Sequence, residues 1–171
     1  MNFIEILERA PIKLAIRVNE LINTPQRAKF HPEGDVLQHT MIVTNRLAKI
    51  GNIDLTVAGF FHDIGKDETT VWNPTKSVWT APGHELVSAK LCIEYADFIT
   101  SLGANPESVR EIVFYHMRIK QYISGDMKKE AKRNAMESLA SFQNLLYFSK
   151  ADKMVDEDMN PYLTVDEFTF N

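Results

Sequence analysis

The dipeptide His62-Asp63 sits in the apolar run Phe60-Phe61-His62-Asp63-Ile64, which is followed by Gly65-Lys66. Burying an imidazole and a carboxylate in such a segment is costly unless each finds a partner. A divalent cation satisfies both at once, because imidazole nitrogen and carboxylate oxygen are ligands for hard and borderline metals. The chain offers further donors of the same two kinds: His39 upstream, then His84, His116 and Asp152 downstream. Taken singly, each proves little. A histidine on an apolar helix is more often a hydrogen-bonded core residue than a ligand. Asp152 stands near Asp156, Glu157 and Asp158 and reads equally well as part of a solvated acidic face. The ordered combination His, His-Asp, His, His, Asp carries the argument, and it points to a site for two divalent cations.

Helices must position these groups. Apolar residues recur at helical spacing along most of the chain, while strand signals are sparse. Residues 2–9 and 12–23 read as two helices, with Pro11 opening the second. Residues 23–34, with Pro25, Pro32 and Gly34, read as a loop. Asp35 is placed to cap a helix running to about Ile50 and carrying His39. Asp54 is assigned as the cap of a helix over 55–66, with His62 and Asp63 near its end. Residues 67–83 read as a long polar loop holding Trp72 and Trp79, and loops of that length are often functional lids. The alternative is that the two tryptophans tack the loop to the core. A helix over 83–101 starts at His84. Another, over 107–119 and opened by Pro106, carries His116. A last one, over about 128–154, carries Asp152. The expected fold is all-α, a compact helical bundle in which side chains from facing helices converge on a buried metal site.

Composition sets the remaining bounds. The chain has 171 residues and 44% hydrophobic content, enough for one domain with its own core. The expected arrangement is a single domain over 1–171 with its core over about 30–155. The N-terminal helices and the acidic tail, through Tyr162, Leu163, Val165 and Phe168, are expected to pack on that core. The lone cysteine, Cys92, excludes an intramolecular disulfide and reads as a core residue. The start Met1–Glu5 lacks the basic and apolar segments of a signal peptide. No apolar run approaches a membrane span, so a cytoplasmic location is the default. A net charge of −4 gives no global attraction to nucleic acid and argues against an extended nucleic-acid surface. A small phosphate pocket remains compatible with that charge.

These residues resemble the HD-domain superfamily of metal-dependent phosphohydrolases, named for its adjacent His-Asp pair. The family pattern of His, His-Asp and a distant Asp is met in order by His39, His62, Asp63 and Asp152. A subset has two further histidines before the last Asp, and His84 and His116 fill those positions. Locally, His31-Pro32-Glu33-Gly34-Asp35-Val36 with His39-Thr40, then Phe61–Lys66, then Gly83-His84-Glu85, resemble the HD domain attached to bacterial CCA-adding tRNA nucleotidyltransferases. The stretch Ser149-Lys150-Ala151-Asp152-Lys153 is typical of the superfamily. The resemblance spans roughly residues 30–155.

The resemblance implies that His39, His62, Asp63 and Asp152 hold one metal, and that Asp63 bridges to a second held by His84 and His116. The metal is one of Mn, Ni, Co, Fe, Zn or Mg. Asp63 and Lys66 are implied as catalytic, with water acidified by the cations attacking phosphorus and Lys66 balancing charge on the phosphoryl oxygens. A solvated helix-end lysine is the alternative reading of Lys66. Arg46 and Arg118 are further candidates for phosphate contacts. His31 is expected to support the ligands or face the substrate. The implied substrates are nucleotides or RNA ends, with hydrolysis of 2′,3′-cyclic phosphates or 2′-phosphates. Two alternatives stand beside this: a deoxynucleotide 5′-nucleotidase or dNTP triphosphohydrolase, and a non-catalytic nucleotide-sensing module. With 171 residues there is no room for a nucleotidyltransferase domain, so CCA addition is not expected.

Overall fold

A helix that is apolar on every side forms the middle of the molecule. In the computed structural model, which describes residues 1–156 and 158–161, this is α4, Ile53–Phe61, and Leu55 through Phe61 are all buried. A helix apolar all round has no solvent face and must be covered on every side. Before it come α1 (Phe3–Arg9), α2 (Ile12–Glu20), a 3-10 turn over Leu21–Asn23, and α3 (Val36–Ala48). After it come α5 (Lys66–Thr69), α6 (His84–Glu94), α7 (Ala96–Ser101), α8 (Pro106–Ile123), α9 (Glu130–Glu137) and α10 (Phe142–Ala151). The fold is all-α. A single hairpin, β1 (Val71–Asn73) and β2 (Val78–Thr80), is the only sheet among the described residues.

Helices α3 and α8 both pack on α4, and α6 and α10 pack on α8. Gly59 permits the close approach of α3: a Cβ there would lie 3.0 Å from Thr44 Cα. Helix α1 is tied to α3 by Asn45, whose Oδ1 accepts from Phe3 N at 2.9 Å. Arg17 of α2 reaches across to α5, donating to Asp67 Oδ1 at 2.8 Å and also bonding Glu68. Among the described residues, no helix is long and apolar enough to cross a membrane.

Several boundaries differ from the sequence expectation. Asn52, not Asp54, caps α4, because the extended backbone at Asn52 lets its Oδ1 accept from Leu55 N. Asp54 falls in the first turn instead and accepts from Asn105 N at 2.8 Å. Regular helix ends at Phe61 rather than at Lys66. The chain then tightens into a turn, with Ile64 N bonded to Phe61 O and Lys66 N to Asp63 O. The 83–101 helix breaks at Tyr95, and the last long helix breaks between α9 and α10. At the second break the Glu111 carboxylate of α8 accepts from Ser141 N, beside the start of α10. Helix α8 runs past the expected end at Ile119 to Ile123, which keeps Lys120 on the helix. The long polar loop contains the hairpin, with Trp72 opposite Trp79. The expected packing of Tyr162, Leu163, Val165 and Phe168 lies outside the described residues.

Gly65 sets the exit from the His62-Asp63 turn. A Cβ there would stand 2.7 Å from His84 O and 2.9 Å from Ser88 N, against the backbone of α6. Gly65→Ala is expected to push α6 outward and cost about 1–3 kcal/mol through overpacking. Thermal unfolding should show Tm lowered by about 5 °C; an unchanged Tm would contradict the close approach.

Candidate metal centre

The functional side chains come from the ends and inner faces of separate helices. His39 lies one turn into α3, which Asp35 caps through Gln38 N. His62 and Asp63 follow the last residue of α4. His84 opens α6, launched by Gly83 in a left-handed conformation (φ 75°) that favours glycine. His116 faces inward from α8, and Asp152 ends α10. All six are buried.

Asp63 stands at the centre, with its two oxygens facing different histidines. Oδ2 lies 3.2 Å from His62 Nε2 and 3.5 Å from His39 Nε2. Oδ1 lies 3.2 Å from His84 Nε2 and 3.9 Å from His116 Nε2. Asp152 Oδ1 lies 2.9 Å from His39 Nε2 and 3.8 Å from His62 Nε2. Two groups of donor atoms result, His39–His62–Asp152 and Asp63–His84–His116, each with its atoms within 4.8 Å of one another.

The hydrogen bonds behind the rings show that this set fits cations. His62, His84 and His116 each direct Nδ1 to the carbonyl three residues earlier, on Gly59, Ala81 and Val113, at 2.7, 2.7 and 2.6 Å. A carbonyl only accepts, so each Nδ1 carries the proton and each Nε2 of a neutral ring presents a lone pair. Those lone pairs face inward toward one another and toward carboxylate oxygens. His84 Nε2 is 3.1 Å from His116 Nε2. His62 Nε2 is buried and makes no hydrogen bond despite its nearness to Asp63. Rings fixed from behind, with converging lone pairs in front, are the arrangement of metal-ligating histidines.

The charges agree. Burial holds His116 well below its usual pKa, so its ring is neutral. Burial pushes the Asp63 carboxyl up, but the Lys66 ammonium beside it holds it well below the usual range. Asp152 behaves alike, with Lys120 and His39 outweighing burial. His39 is the exception: despite burial, Asp152 and Glu33 raise its pKa.

Two cations reach the same centre. Lys66 Nζ is 2.6 Å from Asp63 Oδ2 and donates to Gln26 Oε1 at 2.9 Å. Lys120 Nζ is 2.6 Å from Asp152 Oδ2. Both line a cavity of about 380 Å³ that opens over the histidines and reaches His31.

Arg46 and Arg118 do not line that cavity, which corrects their reading as phosphate contacts. Arg46 is fully buried and donates from Nη1 to Ala151 O and Lys153 O, each at 2.9 Å. Its charge serves the carbonyls around the end of α10 instead. Arg118 lies over the rings of Phe114 and Tyr115 and lines a different cavity with Lys128, Lys129 and Lys132.

Glu33 and Lys120 were not singled out from the sequence. Glu33 Oε1 accepts from His39 Nδ1 at 2.7 Å and from His31 Nδ1 at 2.9 Å. Against the upward push of burial, those two bonds bring its carboxyl down to about 2. It fixes the His39 ring as the carbonyls fix the other three. Glu33→Gln is expected to weaken divalent-cation binding about 10- to 100-fold, the usual cost of losing such a support. Competition with a chelator measures this, and unchanged affinity would contradict the role.

The HD domain family model matches residues 36–153, a stretch holding all six of these donors. Among curated proteins the chain is similar to the Multifunctional CCA protein of Neisseria meningitidis serogroup C / serotype 2a (strain ATCC 700532 / DSM 15464 / FAM18). The two are 27% identical over 153 residues, which is 88% of this chain and 35% of that protein. It is similar to the Multifunctional CCA protein of Halorhodospira halophila, at 33% identity over 87 residues, 49% of this chain and 20% of that protein. It is also similar to that of Dechloromonas aromatica, at 36% over 80 residues, 46% and 18%. The chain thus spans about a third of the length of the Neisseria relative. No solved structure matches it significantly.

Proposed function

The chain belongs to the HD-domain family of metal-dependent phosphohydrolases, and from that membership we propose that it hydrolyses 2′,3′-cyclic phosphates or 2′-phosphates on nucleotides or RNA ends. The observation that carries the reading is the division of the Asp63 carboxylate, one oxygen toward each group of histidines. In this reading His39, His62, Asp63 and Asp152 hold one divalent cation, and Asp63, His84 and His116 hold a second. Bound divalent cations would acidify water to a pKa of about 7 and polarise the phosphoryl oxygens.

The protein's own groups do the rest. The Nδ1 bonds to Gly59, Ala81, Val113 and Glu33 keep the four rings in place without reorganisation. Lys66 and Lys120 border the same cavity and can hydrogen-bond the nonbridging oxygens of a phosphate. His31 lines the cavity wall and is held by Glu33, which supports a contact with the substrate in this reading.

The substrate position rests on the local resemblance around His31–Thr40 and His62–Lys66, on the relatives named Multifunctional CCA protein, and on the acidic net charge of −4, which favours a small substrate or a chain end over an extended polyanion. Side-by-side turnover of 2′,3′-cyclic AMP, 2′-AMP, dAMP and dATP, read by chromatographic separation of the nucleotide and nucleoside products, tests it. The two 2′-linked esters are expected to turn over fastest. Preference for dAMP or dATP would replace this reading with a deoxynucleotide hydrolase, and an inert protein that binds nucleotide would make it a sensor.

A further inference from the structure

The cavity over the metal centre has two chemically different parts. Its floor is the buried His/Asp cluster with Lys66 and Lys120. Two segments add apolar residues to its lining, beside the polar Gln26, Arg27 and Thr80. Residues 25–31 supply Pro25 and Phe30, and the end of the hairpin supplies Trp79 and Pro82. Phe30 is 43% exposed and Trp79 38% exposed, so neither ring is spent on the core. Single exposed apolar residues are ordinary, but two aromatics and two prolines around one cavity form a patch of the kind that marks a binding site.

The hairpin has no core role that explains these rings. Trp72 and Trp79 pack on each other, with centroids 5.3 Å apart and planes at 69°, and Trp72 is 49% exposed. They do not tack the loop to the bundle. The hairpin is instead fixed to the opposite wall through its backbone: Arg27 Nε donates to Trp79 O at 3.2 Å. Thr80 Oγ1 donates to Val71 O across the strands. The backbone bonds hold Trp79 in position, and its ring, packed on one side against Trp72, stays 38% exposed at the cavity. Gln26, in the same segment as Phe30, holds Lys66 Nζ at 2.9 Å. These apolar residues and the phosphate-facing lysine are therefore parts of one structure.

A ligand suited to this cavity carries an anionic ester at one end and a flat, apolar-faced ring at the other. We propose that Trp79 and Phe30 form a shelf on which the nucleobase of the substrate stacks, so that the protein selects phosphate esters of nucleosides over phosphate esters lacking a base. This rests on the phosphohydrolase reading of the same cavity. Stacking on an aromatic shelf tolerates any base, because every base has a π-face. The shelf therefore gives selectivity for nucleotides as a class. A free nucleotide and the last residue of an RNA share this chemistry.

Two measurements test it. The chain has two tryptophans, so a Trp72→Phe variant reports Trp79 fluorescence alone. In metal-stripped protein, where no turnover is expected, 2′-AMP should quench that fluorescence saturably, and 2-glycerophosphate, an ester without a base, should not. With the metal restored, Trp79→Leu should raise KM for 2′-AMP about tenfold, as the loss of one stacked base predicts. KM for 2-glycerophosphate and kcat for both should stay within about twofold, on the premise that a ring binding ground and transition states equally affects KM alone. Trp79→Tyr, which keeps a ring, should restore the lower KM. A trinucleotide with a terminal 2′-phosphate separates the two sources: a lower KM than that of 2′-AMP assigns the shelf to an RNA end, and an equal one to a free nucleotide. Absence of quenching, or an equal rise in KM for both esters, overturns the shelf while leaving the hydrolase standing. If the native protein hydrolyses neither of these esters nor 2′,3′-cyclic AMP, the phosphohydrolase reading fails, and the quenching experiment still decides the shelf.

Discussion

Replacing Asp63 with alanine is expected to abolish hydrolysis of 2′,3′-cyclic AMP and 2′-AMP while leaving the helical circular-dichroism signal largely intact. Asp63 is the one residue that the proposed reading assigns to both cations, and its two oxygens lie 3.2 Å from His62 Nε2 and 3.2 Å from His84 Nε2. Removing it also strands Lys66, whose ammonium sits 2.6 Å from Oδ2. Charge stabilisation of this kind is worth several kcal/mol, so the loss in kcat should be at least about a thousandfold. The fold should survive because Asp63 lies beyond the end of α4, whose packing depends on its apolar residues. Near-normal turnover in a folded Asp63→Ala protein would sink the mechanism.

The second large effect is on stability. Arg46→Leu is expected to destabilise the protein by about 3 kcal/mol, because Ala151 O and Lys153 O lose a charged donor at a buried position and each unsatisfied carbonyl costs about 1–3 kcal/mol. Tm should fall by about 10 °C. These carbonyls flank Asp152, so the variant should also bind divalent cations more weakly. A variant as stable as the native chain would show that the contacts to the end of α10 carry no weight.

Much of this architecture was legible in the sequence, for reasons tied to particular residues. Asp35 and Pro106 mark helix starts, and both do so in the structure. The six donors stood out because a histidine or aspartate in an apolar setting demands an explanation, and the structure brings all six together. Glu33 was overlooked because a glutamate between Pro32 and Gly34 reads as solvated loop. Its burial depends on the loop folding over His39, which no local pattern encodes. Lys120 was overlooked because the helix was expected to end one residue earlier. Charge alone suggested Arg46 as a phosphate contact, and nothing local shows that its side of α3 meets the end of α10. The break at Tyr95 and the one over 138–141 carry no Gly or Pro, so tertiary contacts such as that of Glu111 with Ser141 N accompany them. The three-residue strands around Trp72 and Trp79 are too short for alternation to register.

The central claim is that Asp63 joins two cation positions, and the number of divalent ions bound per chain tests it most directly. Metal-stripped protein titrated calorimetrically with Mn²⁺ should bind two per chain. A His84→Ala/His116→Ala double variant should bind one, and Asp63→Ala should lose high-affinity binding at both positions. A native protein that binds one ion, with an affinity indifferent to loss of His84 and His116, would contradict the account.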